Sequence, residues 1–359
     1  MDSVAVDWDL LSSYAGLLGL ACFSIYAGAH GSLPSKWKNG MKGAAALEGK
    51  GVANEGKEKP EESTEGEASD DEDEEDMERM SSEDAWIFPI IGSAALVGLY
   101  GIVKYLGETW INWLLGWYFA FAGVGSVWNA LISLTRWALG DVRWKKYDSI
   151  KLEFKKGSEV LFKVSSRTPS LALLSIAWIP SAVYILWSGE RRPVLVTDIL
   201  ALSFSHNALS LLRLDSFKTG CILLCGLFVY DVWWVFGTEV MVKVATRVDV
   251  PIKILWPKSV SFGHGRGFTM LGLGDIVIPG TFVALGLRYD YWRQGRKGRY
   301  FYATLFGYIV GLLVTITVMD VFGKAQPALL YLSPSCILSL LITGLASGEM
   351  QAVWKWVDA

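Results

Sequence analysis

The sequence predicts an all-α polytopic membrane protein with nine transmembrane helices and one small cytosolic β-hairpin. Three observations predict it. Hydrophobic residues make up 52% of the 359-residue chain and fall in blocks with few charges. Each block is about 20 residues, the length that crosses the hydrocarbon core as a helix. Lys and Arg gather in alternate segments between the blocks. One polar segment instead alternates apolar and polar residues with a period of two, the signature of strands.

The predicted spans are roughly 10–30, 86–106, 110–139, 169–188, 194–212, 219–242, 268–287, 300–322 and 328–348. The third is long and needs tilt or an interfacial end. The N-terminus "MDSVAVDWD" lacks the basic region of a cleaved signal peptide, so the first block reads as a retained span. Orientation follows from the basic residues. With the N-terminus outside, segments 31–85, 140–168, 213–218, 288–299 and the C-terminal tail are inside. With Arg136 at the inner end of the third span, they hold 24 of the 33 Lys and Arg residues. The 243–266 loop carries five basic residues against this trend. An odd number of spans then puts the C-terminus in the cytosol.

The expected organisation is a lumenal N-terminus and first helix over 1–33, then an acidic cytosolic linker over 34–84. An eight-helix membrane domain follows over 85–350, whose part at 194–350 holds the candidate functional residues taken up below, and a tail at 351–359. The linker is too charged to bury a core, which reads as disorder. The period-two segment is "SIKLEFKKGSEVLFKVSS", 149–166. Ile150, Leu152 and Phe154 alternate with Lys151, Glu153 and Lys155, and Val160, Phe162 and Val164 repeat the pattern beyond Gly157. Such a hairpin could lie passively on the membrane surface or offer an edge to a substrate strand.

The four cysteines, Cys22, Cys221, Cys225 and Cys336, all fall in apolar blocks, so no disulfide framework is expected. Cys221 and Cys225 share a helix face. The three histidines are His30, His206 and His264, too few and too scattered to complete a metal site there, and no metal or other cofactor is expected. His206 puts a titratable ring in the fifth span, which reads more simply as a satisfied side chain than as part of a site.

Two carboxylates carry the functional argument. Asp231 stands in "FVYDVWWVFG", 228–237, and Asp275 in "MLGLGDIVIPG", 270–280. A charged Asp at mid-membrane costs roughly 2.5–3.5 kcal/mol even on the lenient insertion scale, and intramembrane carboxylates are functional by default. Asp231 lies thirteen residues after Lys218, and Asp275 thirteen before Arg288. On antiparallel helices both therefore sit about 20 Å from the cytosolic side. Two facing carboxylates share a proton, which lowers the cost of burial and provides an acid and a base for peptide hydrolysis. Depth and pairing alone leave proton or ion transport equally open. Gly272 and Gly274 remove side chains just before Asp275, where another backbone could approach. Tyr230 precedes Asp231 but does not share its helix face.

Tyr230–Asp231, Gly272–Leu273–Gly274–Asp275 and "QPALLYL" at 326–332 resemble, in order, the YD, GxGD and PAL motifs of signal peptide peptidase, an intramembrane aspartyl protease family related to presenilin. "TGCILLCGLFVYDVWWVFGTEVMV", "VPIKILWP" and "MLGLGDIVIPGTFVALGLRYD" extend the similarity. The resemblance implies Asp231 and Asp275 as the catalytic pair. It implies that Gln326, Pro327, Ala328 and Leu329 help position substrate, together with Tyr230, Gly272, Leu273 and Gly274. It further implies a presenilin-like fold in the endoplasmic reticulum membrane, with a lumenal N-terminus and a cytosolic C-terminus. The implied partners are the bilayer and transmembrane peptides, namely remnant signal peptides and type II segments. Nucleic acid is not among the expected partners, and homo-oligomerisation is left open. One tension remains: counting residues puts Pro327 at the outer end of the last span, so that span must start deep or be preceded by a dip into the membrane. The sequence lacks a dilysine C-terminus and any Asn-x-Ser/Thr acceptor, both common in the family. The competing reading is a non-proteolytic factor that holds membrane substrates, with a transporter as a weaker third.

Overall fold

The computed structural model describes residues 8–33, 79–144, 149–156, 159–187, 193–241, 244, 250–258, 267–293, 298–323 and 326–358. In chain order its main elements are α1 (Trp8–Gly31), β1 (Arg79–Met80), α2 (Ser82–Leu106), α3 (Glu108–Leu139), α4 (Asp141–Trp144), β2 (Ser149–Lys156) and β3 (Glu159–Arg167). Then follow α5 (Thr168–Leu186), α6 (Val194–Leu211), β4 (Arg213–Leu214), α7 (Phe217–Phe236), β5 (Lys253–Pro257) and β6 (Phe268–Gly272). The chain closes with α8 (Gly274–Trp292), α9 (Arg299–Phe322), α10 (Leu329–Ala346) and α11 (Met350–Lys355).

Eight of the described helices are long and apolar enough to cross a membrane: α1, α2, α3, α5, α6, α7, α9 and α10. The ninth expected span is α8. At 19 residues it is about 28 Å long, yet it carries Asp275, Arg288 and Asp290. From Pro279 to Asp290 every residue is buried, and α1, α6, α7, α9 and α10 surround it. Protein rather than lipid is its solvent, so it needs no continuous apolar surface. The helices around it present exposed apolar side chains instead, such as Phe23 of α1, Leu195 of α6, Trp233 of α7 and Phe306 of α9.

Local chemistry sets the breaks. Ser81 caps α2 in a capping box with Asp84, whose carboxylate accepts the Ser81 N–H at 2.9 Å. Gly107 (φ +88°) separates α2 from α3, a conformation that L side chains rarely adopt. Described structure includes the strand Arg79–Met80 and the start of α2 at Ser82, ahead of the boundary expected at 84; the rest of the acidic segment lies outside the described residues.

The seventh span differs from expectation. Residues 268–272 form a strand rather than the first turn of a helix, and α8 starts only at Gly274. Gly272 and Gly274 are poor helix formers, and β5 supplies a ladder: Lys253 lies opposite Gly272 and Pro257 opposite Phe268. Part of the presumed 243–266 loop is therefore built into the bundle beside α1 and α6. The sixth span is shorter than expected, ending at Phe236. The hairpin at 149–166 is present, with β2 and β3 antiparallel from Ser149 opposite Arg167 to Lys156 opposite Glu159.

Arg288 is not the boundary marker that the sequence suggested. It is wholly buried, and its terminal nitrogens donate to Ser32 Oγ and the Leu214 carbonyl, each at 3.3 Å. The depth comparison survives nonetheless, because that contact sets Arg288 level with the start of α7. The chain end is not a free tail either. Val357 bridges Ser216, and the Asp358 N–H donates to the Asp215 carbonyl at 2.7 Å. Trp356 packs against Phe217, Tyr289 and Trp292.

Two close helix contacts place the site. A Cβ on Gly220 of α7 would lie 2.6 Å from the Phe282 ring of α8, so Gly220 brings these two helices together. On α9, Gly307 and Gly311 form a small-xxx-small face. A Cβ on Gly311 would sit 3.0 Å from Leu332 Cα of α10, and Ser335 Oγ donates to the Gly307 carbonyl at 2.6 Å. Gly311→Leu should therefore push α10 off α9, lower the thermal midpoint and reduce whatever activity the α9–α10 pair supports, since overpacking costs about 1–3 kcal/mol of stability. Activity and the thermal midpoint, measured together in detergent, check this.

Candidate active site

Asp231 lies in the last third of α7 and is buried. Asp275 is the second residue of α8, half-buried, at the end where β6 delivers the chain. The two carboxylates are close enough for the charge of Asp231 to act on Asp275. Each sits on a different helix of a closely packed pair, as equal depth on antiparallel helices requires.

The QPALL segment completes the arrangement. The Leu329 N–H donates to Asp231 Oδ2 at 3.1 Å. Leu329 is the first residue of α10, so its N–H is one of the amides that a helix leaves unpaired. The positive end of that helix therefore points at a carboxylate, an arrangement that favours negative charge there. Pro327 and Leu329 are buried; Gln326 and Ala328 are half-buried. This resolves the depth tension. α10 starts deep, beside a residue that α7 holds fourteen positions from its own start at Phe217, about 21 Å along the helix. At 18 residues α10 is also shorter than the 24-residue α9 before it.

The GxGD glycines do different things. A Cβ on Gly272 would lie 3.3 Å from Asp275 Oδ2, so its absence makes room for the carboxylate itself. Gly274 faces open space and is exposed. Leu273 between them donates its N–H to the Ile252 carbonyl at 2.9 Å, tying the start of α8 to β5. Tyr230 packs its ring beside Gly92 of α2 and near Trp234 of its own helix. The His206 ring lies beside Gly31, at the Arg288 end of the bundle. Among the described residues no cluster of His, Cys, Asp and Glu could hold a metal ion, and Cys22, Cys221, Cys225 and Cys336 are all free.

Two polar residues near the site belong to none of the motifs. Tyr308 of α9 is wholly buried, its hydroxyl has no hydrogen-bond partner, and it stands within electrostatic reach of Asp275. Asp198 of α6 is also buried and accepts the Leu255 N–H of β5 at 2.8 Å. A search for charges inside apolar blocks finds Asp198, since "VLVTDILAL" is as apolar as the surroundings of Asp231.

The signal peptide peptidase family model matches residues 72–359. The chain belongs to this family. It is 38% identical over 289 residues to signal peptide peptidase of Homo sapiens, covering 79% of this chain and 75% of the relative. The Mus musculus protein of the same name matches at the same identity and coverage. Intramembrane protease 2 of Caenorhabditis elegans is 40% identical over 221 residues, 57% of this chain and 46% of the relative. The chain is thus a multi-pass membrane protein and an intramembrane aspartyl protease, a hydrolase that acts on transmembrane substrates.

Proposed function

We propose that Asp231 and Asp275 are the catalytic pair, and that they cut remnant signal peptides and other type II-oriented transmembrane segments. The observation that carries this is the convergence of three separate elements: Asp231 on α7, Asp275 at the start of α8, and the Leu329 N–H at the start of α10. One carboxylate takes a proton from a water as it attacks the peptide carbonyl, while the other protonates the carbonyl oxygen. Collapse of the tetrahedral intermediate breaks the C–N bond, and the amine leaves with a proton from the pair. Two close carboxylates suit this because like charges at short range keep one of them protonated. The Leu329 contact favours Asp231 as the member that holds the charge.

A helix hides its carbonyls in its own hydrogen bonds, so a substrate must unwind before attack. β6 supports a place for that. Its hydrogen bonds to β5 use one edge; on the other, where the backbone of Met270 points, no further strand pairs among the described residues. An unwound segment pairing there would be led along β6 toward Asp275. Orientation with a lumenal N-terminus and cytosolic C-terminus, in the endoplasmic reticulum, rests on the Lys and Arg count and the family resemblance. Cleavage of a signal-peptide-like substrate in detergent, with and without a transition-state-mimicking aspartyl inhibitor, tests the reading. Specific cleavage abolished by the inhibitor is expected; binding without turnover would favour a substrate-holding factor instead.

Pro327→Ala and Leu329→Ala should lower activity far more than Leu338→Ala. Leu329 is buried at the carboxylate, whereas Leu338 is exposed on the outer face of α10. Truncating Leu329 loosens the packing that holds its N–H at Asp231, so a fall of at least about tenfold in kcat/KM is expected for Leu329→Ala and little change for Leu338→Ala. Kinetics with one peptide substrate decide it.

A further inference from the structure

Asp198 sits on the fifth residue of α6, is buried, and bonds to backbone rather than to a cation. Its partner is informative. The Leu255 N–H belongs to β5, and it points away from β6, since Ile252 and Lys258 make their bonds toward the β6 side. Leu255 thus lies on the outer edge of the two-stranded sheet. An unpaired strand N–H inside a membrane is costly, and an open strand edge recruits another strand. Asp198 removes both problems at one position. On the other strand, Thr269 is held by Ser13 of α1 and donates to the Trp256 carbonyl at 3.1 Å. The strand pair that leads into Asp275 is thereby gripped by two helices.

We propose that Asp198 is a positioning residue for proteolysis: by holding the Leu255 N–H it closes the outer edge of β5, fixes the strand pair against α6, and leaves β6 as the edge for substrate. The proposal deepens the reading of β6 given above and rests on it. It predicts an effect on where the substrate is cut as well as on how fast. A loosened sheet, or one with two competing edges, presents the unwound segment to Asp275 in more than one register.

The experiment compares Asp198→Asn, Asp198→Leu and Leu255→Pro with the parent protein in detergent. It reads kcat and KM on a signal-peptide-like substrate, cleavage positions by mass spectrometry, and inhibitor binding as a check of folding. Asp198→Asn keeps an acceptor oxygen and should retain cleavage positions and a rate within about twofold of the parent. Asp198→Leu leaves a buried donor unpaired and should lose about tenfold or more in kcat/KM and spread the cleavage positions. Leu255→Pro deletes the donor without touching the ladder to β6, and should spread the positions too. Unchanged rate and positions in Asp198→Leu, or in Leu255→Pro if Asp198→Leu does not fold, overturn the proposal. So does a loss in Asp198→Asn as large as in Asp198→Leu, because charge and not the hydrogen bond would then matter. Inhibitor-sensitive cleavage by the parent separates these outcomes from failure of the protease reading itself.

Discussion

Asp231→Asn and Asp275→Asn are each expected to abolish detectable cleavage while the protein still folds. Asn keeps the size and polarity of Asp, so α7 and α8 can pack as before, and the Leu329 N–H still finds an oxygen at position 231. Asn cannot exchange a proton. A missing acid or base costs about 10²–10⁴-fold in rate, and members of a catalytic unit are not additive, so the double variant should be little worse than either single one. The parent enzyme should show a bell-shaped dependence of rate on pH. Its two limbs report macroscopic constants of the pair, not of Asp231 or Asp275 separately. Substantial turnover by either Asn variant would remove that residue from the reaction and leave the family membership standing without this catalytic pair.

The sequence made much of this site legible because membrane burial amplifies chemistry. A carboxylate among 20 apolar residues stands out, and both Asp231 and Asp275 were found that way. Equal depth was readable because a helix converts residue count into distance. The same ruler failed where the backbone is not helical. Residues 268–272 are apolar enough for either a helix or a strand, and only the partner β5 decides between them. It failed again at Pro327, because nothing local announces that α10 begins deep. The Gly307–Gly311 face, which only the packing singles out, explains why α10 can lie so close to α9. Arg288 misled for a physical reason. A cation at the end of an apolar run normally marks the interface, but here it is buried against a carboxylate seventy residues further on, which no local pattern can reveal.

That buried pair carries the second large effect: Asp358→Ala is expected to destabilise the protein more than any exposed charge substitution. Arg288 Nε approaches Asp358 Oδ2 at 2.7 Å with both side chains buried. The charge of Asp358 acts on the guanidinium at this short range, while the terminal nitrogens of Arg288 donate to Ser32 and Leu214. Arg213 and Arg79 also act on Arg288 with like charge, and Arg79 donates to the Asp358 carbonyl. Removing this carboxylate leaves like charges acting on a wholly buried guanidinium. Breaking a buried pair in this way costs about 3–5 kcal/mol. Replacing both partners, Arg288→Met with Asp358→Leu, should recover most of the loss, because two apolar groups no longer need each other's charge. The expected order of thermal midpoints in detergent is parent, then the double variant close to it, then Asp358→Ala well below. Activity should follow the same order near the midpoint of Asp358→Ala, because the pair ties α8, which carries Asp275, to the segment that starts α7. A midpoint unchanged by Asp358→Ala would mean that the chain end packs without holding the bundle. A double variant no better than the single one would mean that the bonds to Ser32 and Leu214, not the ion pair, are what the fold needs from Arg288.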